Sequence, residues 1–165
     1  MIRKNEQPNI KIEFDATLVC IAAKKNNTVA MAALFDALAQ DSVNVDVISL
    51  IPSHPFWGGL SFSVYDCDFA KVLKNIAQLK QLYTPVDIEV CGGYTKIVLR
   101  GETFPRETGI VANFFKSMEK AGTEPALISS SDTTIAALIR TEELDKTVAA
   151  LESFFPNATV CYDNP

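Results

Sequence analysis

The chain has 165 residues, of which 48% are hydrophobic and 21% are charged, an ordinary composition for a folded globular domain. Fifteen lysines and arginines stand against 20 aspartates and glutamates, which gives a net charge of −5. Nucleic acids and anionic membrane surfaces bind basic patches, so we expect neither of them as a partner. The apolar stretches are too short to span a bilayer, and no secretory signal is visible, which favours a cytoplasmic location.

The residues that usually hold metals or redox groups are sparse. Cys20, Cys67, Cys91 and Cys161 form no C-x-x-C pair, and His54 is the only histidine. A single histidine excludes two-histidine metal motifs and makes a Ser-His-Asp triad improbable. We therefore expect free thiols, no metal, no cofactor and no catalytic residues.

The first half of the chain predicts an alternation of strands and helices. Met31, Leu34, Phe35 and Leu38 recur at helical spacing. Three valines alternate with polar residues over 43–49, which is typical of a half-buried strand. In order, the predicted elements are a strand at 17–22, a helix at 29–40, strands at 43–49 and 60–64, a helix beginning at Asp68 and a strand at 86–91.

The second half repeats this order of elements. At an offset of 80 residues Phe35 aligns with Phe115 and Ala32 with Ala112. Gly122 stands where a glycine commonly ends a helix. In order, we predict a strand at 94–100, a helix from 109 to 121, strands at 125–130 and 134–140, a helix beginning at Thr141 and a strand at 158–162.

Each half therefore predicts a βαββαβ unit, the ferredoxin-like pattern with an antiparallel sheet and helices on one face. The fold class is α+β. We expect the first unit at 17–92 and the second at 93–165, divided at Gly92 and Gly93. Residues 1–16 form an N-terminal segment with an extra strand at 9–14, which could join either sheet.

Two segments resemble a known family. VNVDVIS at 43–49 and ALISSSDTTIAALI at 126–139 are similar to strands of the tandem ACT domains in the regulatory region of aspartate kinase (aspartokinase). The resemblance extends over residues 17–162. It implies a non-catalytic, amino-acid-sensing regulatory protein or region in lysine biosynthesis, with allosteric regulation by lysine or threonine. It also implies a homodimer, and a kinase domain or subunit elsewhere.

The resemblance also implies an effector site at the dimer interface. The first N–H groups of a helix lack intrahelical partners and attract a ligand carboxylate. By position, one wall would come from the first unit and the other from the second unit of a partner chain. The first wall would be Asn26, Val29, Ala30, Met31, Asp46 and Leu50, and the second Ile110, Val111, Glu124 and Pro125.

Two substitutions relative to the family indicate which effector is preferred. Leu50 replaces a glutamine of threonine-responsive members, and Glu124 replaces an asparagine. The carboxylates of Glu124 and Asp46 offer partners to an additional ammonium group. We therefore expect lysine to bind better than threonine.

Two alternatives stay open. The chain could be a structural dimerisation module with a vestigial pocket. It could also be an enzyme like the acylphosphatases, which hold a phosphoryl group with an arginine on the first loop; Arg106 is on such a loop. That loop lacks the closely spaced glycines that cradle phosphate, and no phosphate-binding segment of a kinase is visible, so we expect no catalysis by this chain.

Overall fold

The computed structural model describes residues 7–23, 28–51, 58–82 and 87–163; Asn26 and His54 lie outside these ranges. No helix in the described ranges is both long enough and apolar enough to cross a membrane. Their strands and α-helices are β1 (Asn9–Ala23), α1 (Thr28–Gln40), β2 (Ile48–Ile51), β3 (Gly58–Tyr65), α2 (Phe69–Leu82), β4 (Asp87–Arg100), α3 (Ile110–Ala121), β5 (Leu127–Ser130), β6 (Thr134–Arg140), α4 (Leu144–Phe154) and β7 (Thr159–Asp163).

These elements form two compact units. The first unit consists of residues 15–92, and the second consists of residues 1–14 together with 93–165. The predicted α+β class with two ferredoxin-like units is confirmed. The extra strand at 9–14, which the sequence left unassigned, belongs to the second unit.

In the first unit, β3 pairs antiparallel with the second half of β1 on one side and with β2 on the other. The core side chains lie on the sheet face that α1 and α2 cover. Phe62 is completely buried there, and its ring meets the Phe35 ring edge to face, with 5.4 Å between the centroids. The amphipathic pattern of α1 thus buries Leu34 and Leu38 against this sheet.

In the second unit, β6 pairs antiparallel with the second half of β4 and with β5. The first half of β1 is hydrogen-bonded to β4 and also pairs in parallel with β7. Ile10 and Ile12 are completely buried in the core of this unit. The strand predicted at 158–162 therefore exists as β7, and it pairs with residues 9–13 of β1.

Three predicted strand boundaries are wrong. The separate strands at 9–14 and 17–22 are one strand, β1. The strand at 43–49 is present only as β2, because the preceding residues make isolated bonds instead of a ladder: the Asp46 N–H donates to Ser63 O, and the Val47 N–H to Ser63 Oγ. The separate strands at 86–91 and 94–100 are one strand, β4. Gly93 lies within it at a φ of 80°, a conformation that glycine adopts without strain.

The two long strands each change their burial pattern where they pass between the units. In β1, Ile12 faces the core of the second unit and Val19 that of the first; in β4, Val90 faces the first core and Ile97 the second. In both strands, the residues that face a core change from even-numbered to odd-numbered positions along the chain. A residue with positive φ lies inside each change, Asp15 at 57° and Gly93 at 80°.

Gly122 ends α3 as predicted, and its replacement tests that role. It adopts a φ of 59°, and its N–H donates to Glu119 O at 3.0 Å. Gly122→Ala should destabilise the protein by about 1–2 kcal/mol, because a Cβ disfavours the left-handed conformation. Gly92→Ala is the control, since Gly92 has no positive φ and a Cβ there meets Thr17 Oγ1 at an ordinary 3.7 Å. Equal urea midpoints for the two variants would contradict the prediction.

Candidate functional site

The predicted first wall lies at one end of the first unit. Ile21 of β1 and Leu50 of β2 are both paired with Leu60 of β3, so the C-terminal ends of β1 and β2 reach the same end of the sheet. Helix α1 begins at Thr28, shortly after β1. Val29 and Leu50 therefore lie at this same end, near the first turn of α1.

The residues of this wall differ in how far their side chains are buried. Val29 is 68% exposed and Leu50 is 52% exposed, so both are available to a ligand or partner. Ala30 is buried, and Met31 packs against the core of the first unit. Of these four residues, Val29 and Leu50 have the exposed side chains, whereas Ala30 is buried and Met31 is half-buried against the core.

The structure does not bring Asp46 to this end. Four residues of extended chain separate Asp46 from Leu50, a distance of about 13 Å. The Asp46 N–H donates to Ser63 O at 3.0 Å, near the opposite end of β2. A ligand of amino-acid size does not reach both residues.

The residues of the predicted second wall lie at the two ends of α3. Ile110 and Val111 form its first turn, whereas Glu124 and Pro125 follow its last residue. The 12-residue helix places these two pairs about 17 Å apart. Val111 is 55% exposed and Ile110 half-buried, so the two adjacent side chains differ in their environment.

Glu124 lines an open cleft of about 440 Å³ in the second unit. The Arg140 guanidinium lies 4.4 Å from the centre of the Tyr94 ring, and Tyr94 and Arg140 are cross-strand partners. Lys146 Nζ closes the far side by donating to Glu143 Oε1 at 2.8 Å and to the Gly122 carbonyl at 2.9 Å. Sequence reasoning missed Tyr94 and Arg140, although pairing the predicted strands 94–100 and 134–140 end to end places them opposite each other.

The chemistry of this cleft is mixed. Its lining carries three carboxylates and one guanidinium, and one of the carboxylates, Glu143, is already paired with Lys146. Glu124 and Glu142 are both exposed. Carboxylates in this setting accept hydrogen bonds from an ammonium group.

Comparison with known proteins agrees with this architecture. Residues 97–155 match the family model of the ACT domain. The aspartokinase of Bacillus sp. (strain MGA3) is 24% identical over 146 residues, which is 88% of this chain and 36% of that protein. The chain thus spans about a third of the length of the curated relatives it matches.

Solved structures share the fold. The regulatory subunit of aspartate kinase from Thermus thermophilus matches with a TM-score of 0.80 at 17% identity, over 88% of this chain and 96% of that one. Aspartokinase III of E. coli in complex with lysine and aspartate matches with a TM-score of 0.64 at 18% identity, over 92% of this chain and 34% of that one.

Residues 97–155 of the second unit thus match an ACT domain, and the chain as a whole shares the fold of the aspartate kinase regulatory subunit from Thermus thermophilus. The resemblance to the tandem ACT regulatory region of aspartokinase is confirmed. The matches to the regulatory subunits from Thermus thermophilus and Thermus flavus cover almost the full length of those chains, 96% and 97%.

Proposed function

We propose that the chain senses an amino-acid effector as a cytoplasmic homodimer and regulates an aspartokinase catalytic domain, in the same polypeptide or in a separate subunit. The observation that carries this proposal is the match of almost the whole chain to chains described as regulatory subunits. The aspartokinase relatives are about three times longer than the matched part, so a kinase domain has to be supplied by sequence outside it or by another protein.

The exposed apolar residues of the first unit support the homodimer. Ile48 and Leu50 are 48% and 52% exposed on β2, and Val29 is 68% exposed at the start of α1. Within the described residues, β2 is an edge strand that pairs only with β3. An apolar edge strand exposed to water is a template for pairing with another chain, and a second copy would cover it.

The first turn of α1 is the proposed position of the effector carboxylate. Thr28 begins the helix and no acidic residue lies in its first turn, so the helix dipole there favours a carboxylate. Val29 and Leu50 then contact the effector side chain. The glutamine that recognises threonine in the family is absent at Leu50, which favours an effector without a hydroxyl group at that place.

Lysine is the effector that we favour. Two carboxylates, those of Asp46 and Glu124, are the candidates to pair with its side-chain ammonium group. Asp46 lies too far from Leu50 to bind the same lysine, so Glu124 of the second copy in the homodimer is the proposed partner of the lysine ammonium group. Aspartokinase III of E. coli binds lysine in its solved complex. A hydrogen bond to a charged group contributes about 1.5–3 kcal/mol, a factor of ten or more in affinity.

Calorimetry with lysine and threonine tests this assignment. The unaltered protein should bind lysine more tightly than threonine, and Glu124→Asn should reduce this preference by about tenfold or more. Asp46→Asn removes a carboxylate from the opposite end of β2 and should leave the preference unchanged. Tight threonine binding to the unaltered chain, or a loss of preference in Asp46→Asn instead, would overturn the role of Glu124.

Light scattering on the same samples tests the dimer. A particle of twice the 18.1 kDa chain mass is expected at micromolar concentration. A dimer that binds none of the amino acids would favour the alternative of a structural module with a vestigial pocket. Hydrolysis of an acyl phosphate that depends on Arg106 would instead favour the acylphosphatase-like alternative.

A further inference from the structure

We draw no further inference here: the strongest candidate, the exposed apolar stripe that Phe69 and Leu73 form on α2 of the first unit, carries nothing because nothing in the described part of the chain shows what covers it.

Discussion

A shortened protein in which a turn of about four glycine-rich residues replaces residues 15–92 is expected to fold as the second unit, whereas residues 93–165 alone are not. The reason is the placement of residues 9–14. Ile10 and Ile12 are completely buried in the core of the second unit, and β1 is hydrogen-bonded to β4. Contact between Glu13 and Lys96 puts the end of this segment beside the start of the second half of β4, which a short turn can bridge.

We expect the shortened protein to fold and residues 93–165 alone to remain unfolded. Truncating a buried isoleucine typically costs about 2–5 kcal/mol, and deleting the segment removes two of them together with a strand of hydrogen bonds. A unit of this size is stable by only about 4–13 kcal/mol. Circular dichroism and urea unfolding should therefore show a cooperative transition for the shortened protein and none for residues 93–165.

A control variant makes this test specific. Ile12→Asp in the shortened protein should abolish the cooperative transition, because a carboxylate then has to be buried. Cooperative unfolding of residues 93–165 alone, with the stability of the shortened protein, would show that the segment is dispensable and would contradict the placement.

This segment also shows what the sequence could and could not predict. The alternation of Ile10, Ile12 and Phe14 predicts a strand with one buried face. Alternation says nothing about which strand lies next to it, because that is decided by pairing with residues far along the chain. The assignment of residues 9–14 to the second unit therefore required the structure, although the strand itself did not.

Helical spacing predicts which residues of the two walls are buried or far apart, and the family resemblance does not. Ala30, Leu34 and Leu38 are four residues apart and share one face of α1, so the burial of Ala30 follows from the burial of the two leucines. Likewise, a helix of 12 residues between Ile110 and Glu124 already implies that they are far apart. The resemblance grouped these residues by family position and not by distance.

Strand boundaries were predicted less well for a physical reason. Residues 43–47 alternate like a strand and bury Val43 and Val47, but the bonds of Asp46 and Val47 to Ser63 do not extend the ladder of β2. The break expected at Gly92 and Gly93 does not interrupt β4, because a single left-handed glycine fits inside a strand. Burial patterns report which side chains face a core, whereas hydrogen-bonded strands depend on a neighbouring backbone.

The ion pair between Glu13 and Lys96 is expected to be the most sensitive polar interaction of the second unit. Both side chains are about nine-tenths buried, and Glu13 also pairs with Lys11 at 2.9 Å. Burial alone raises the pKa of the Glu13 carboxyl, but the hydrogen bonds from Lys96 and Lys11 outweigh it and hold the pKa below its usual value. The carboxylate is therefore stabilised in its charged form in the folded protein.

Glu13→Gln should destabilise the protein by about 1.5–3 kcal/mol at neutral pH, because the buried Lys96 ammonium loses its charged hydrogen bond to the Glu13 carboxylate. The double variant Glu13→Leu with Lys96→Met removes both charges and should recover most of this loss. Glu102→Gln is the control, since its ion pair with Arg100 is more than half exposed and should contribute less than about 1 kcal/mol. Urea unfolding of the four proteins measures all three comparisons.

The same pair predicts a pH dependence with a definite sign. Because the folded pKa of Glu13 is lower than the unfolded value near 4.5, its contribution to the free energy of unfolding is fully present above that value. The contribution disappears as the pH falls through the folded pKa, where the carboxyl is protonated in both states. The difference in unfolding free energy between the unaltered protein and Glu13→Gln should therefore be constant near neutrality and shrink below pH 4.5. A difference that persists unchanged at low pH would mean that Glu13 acts through packing and not through its charge.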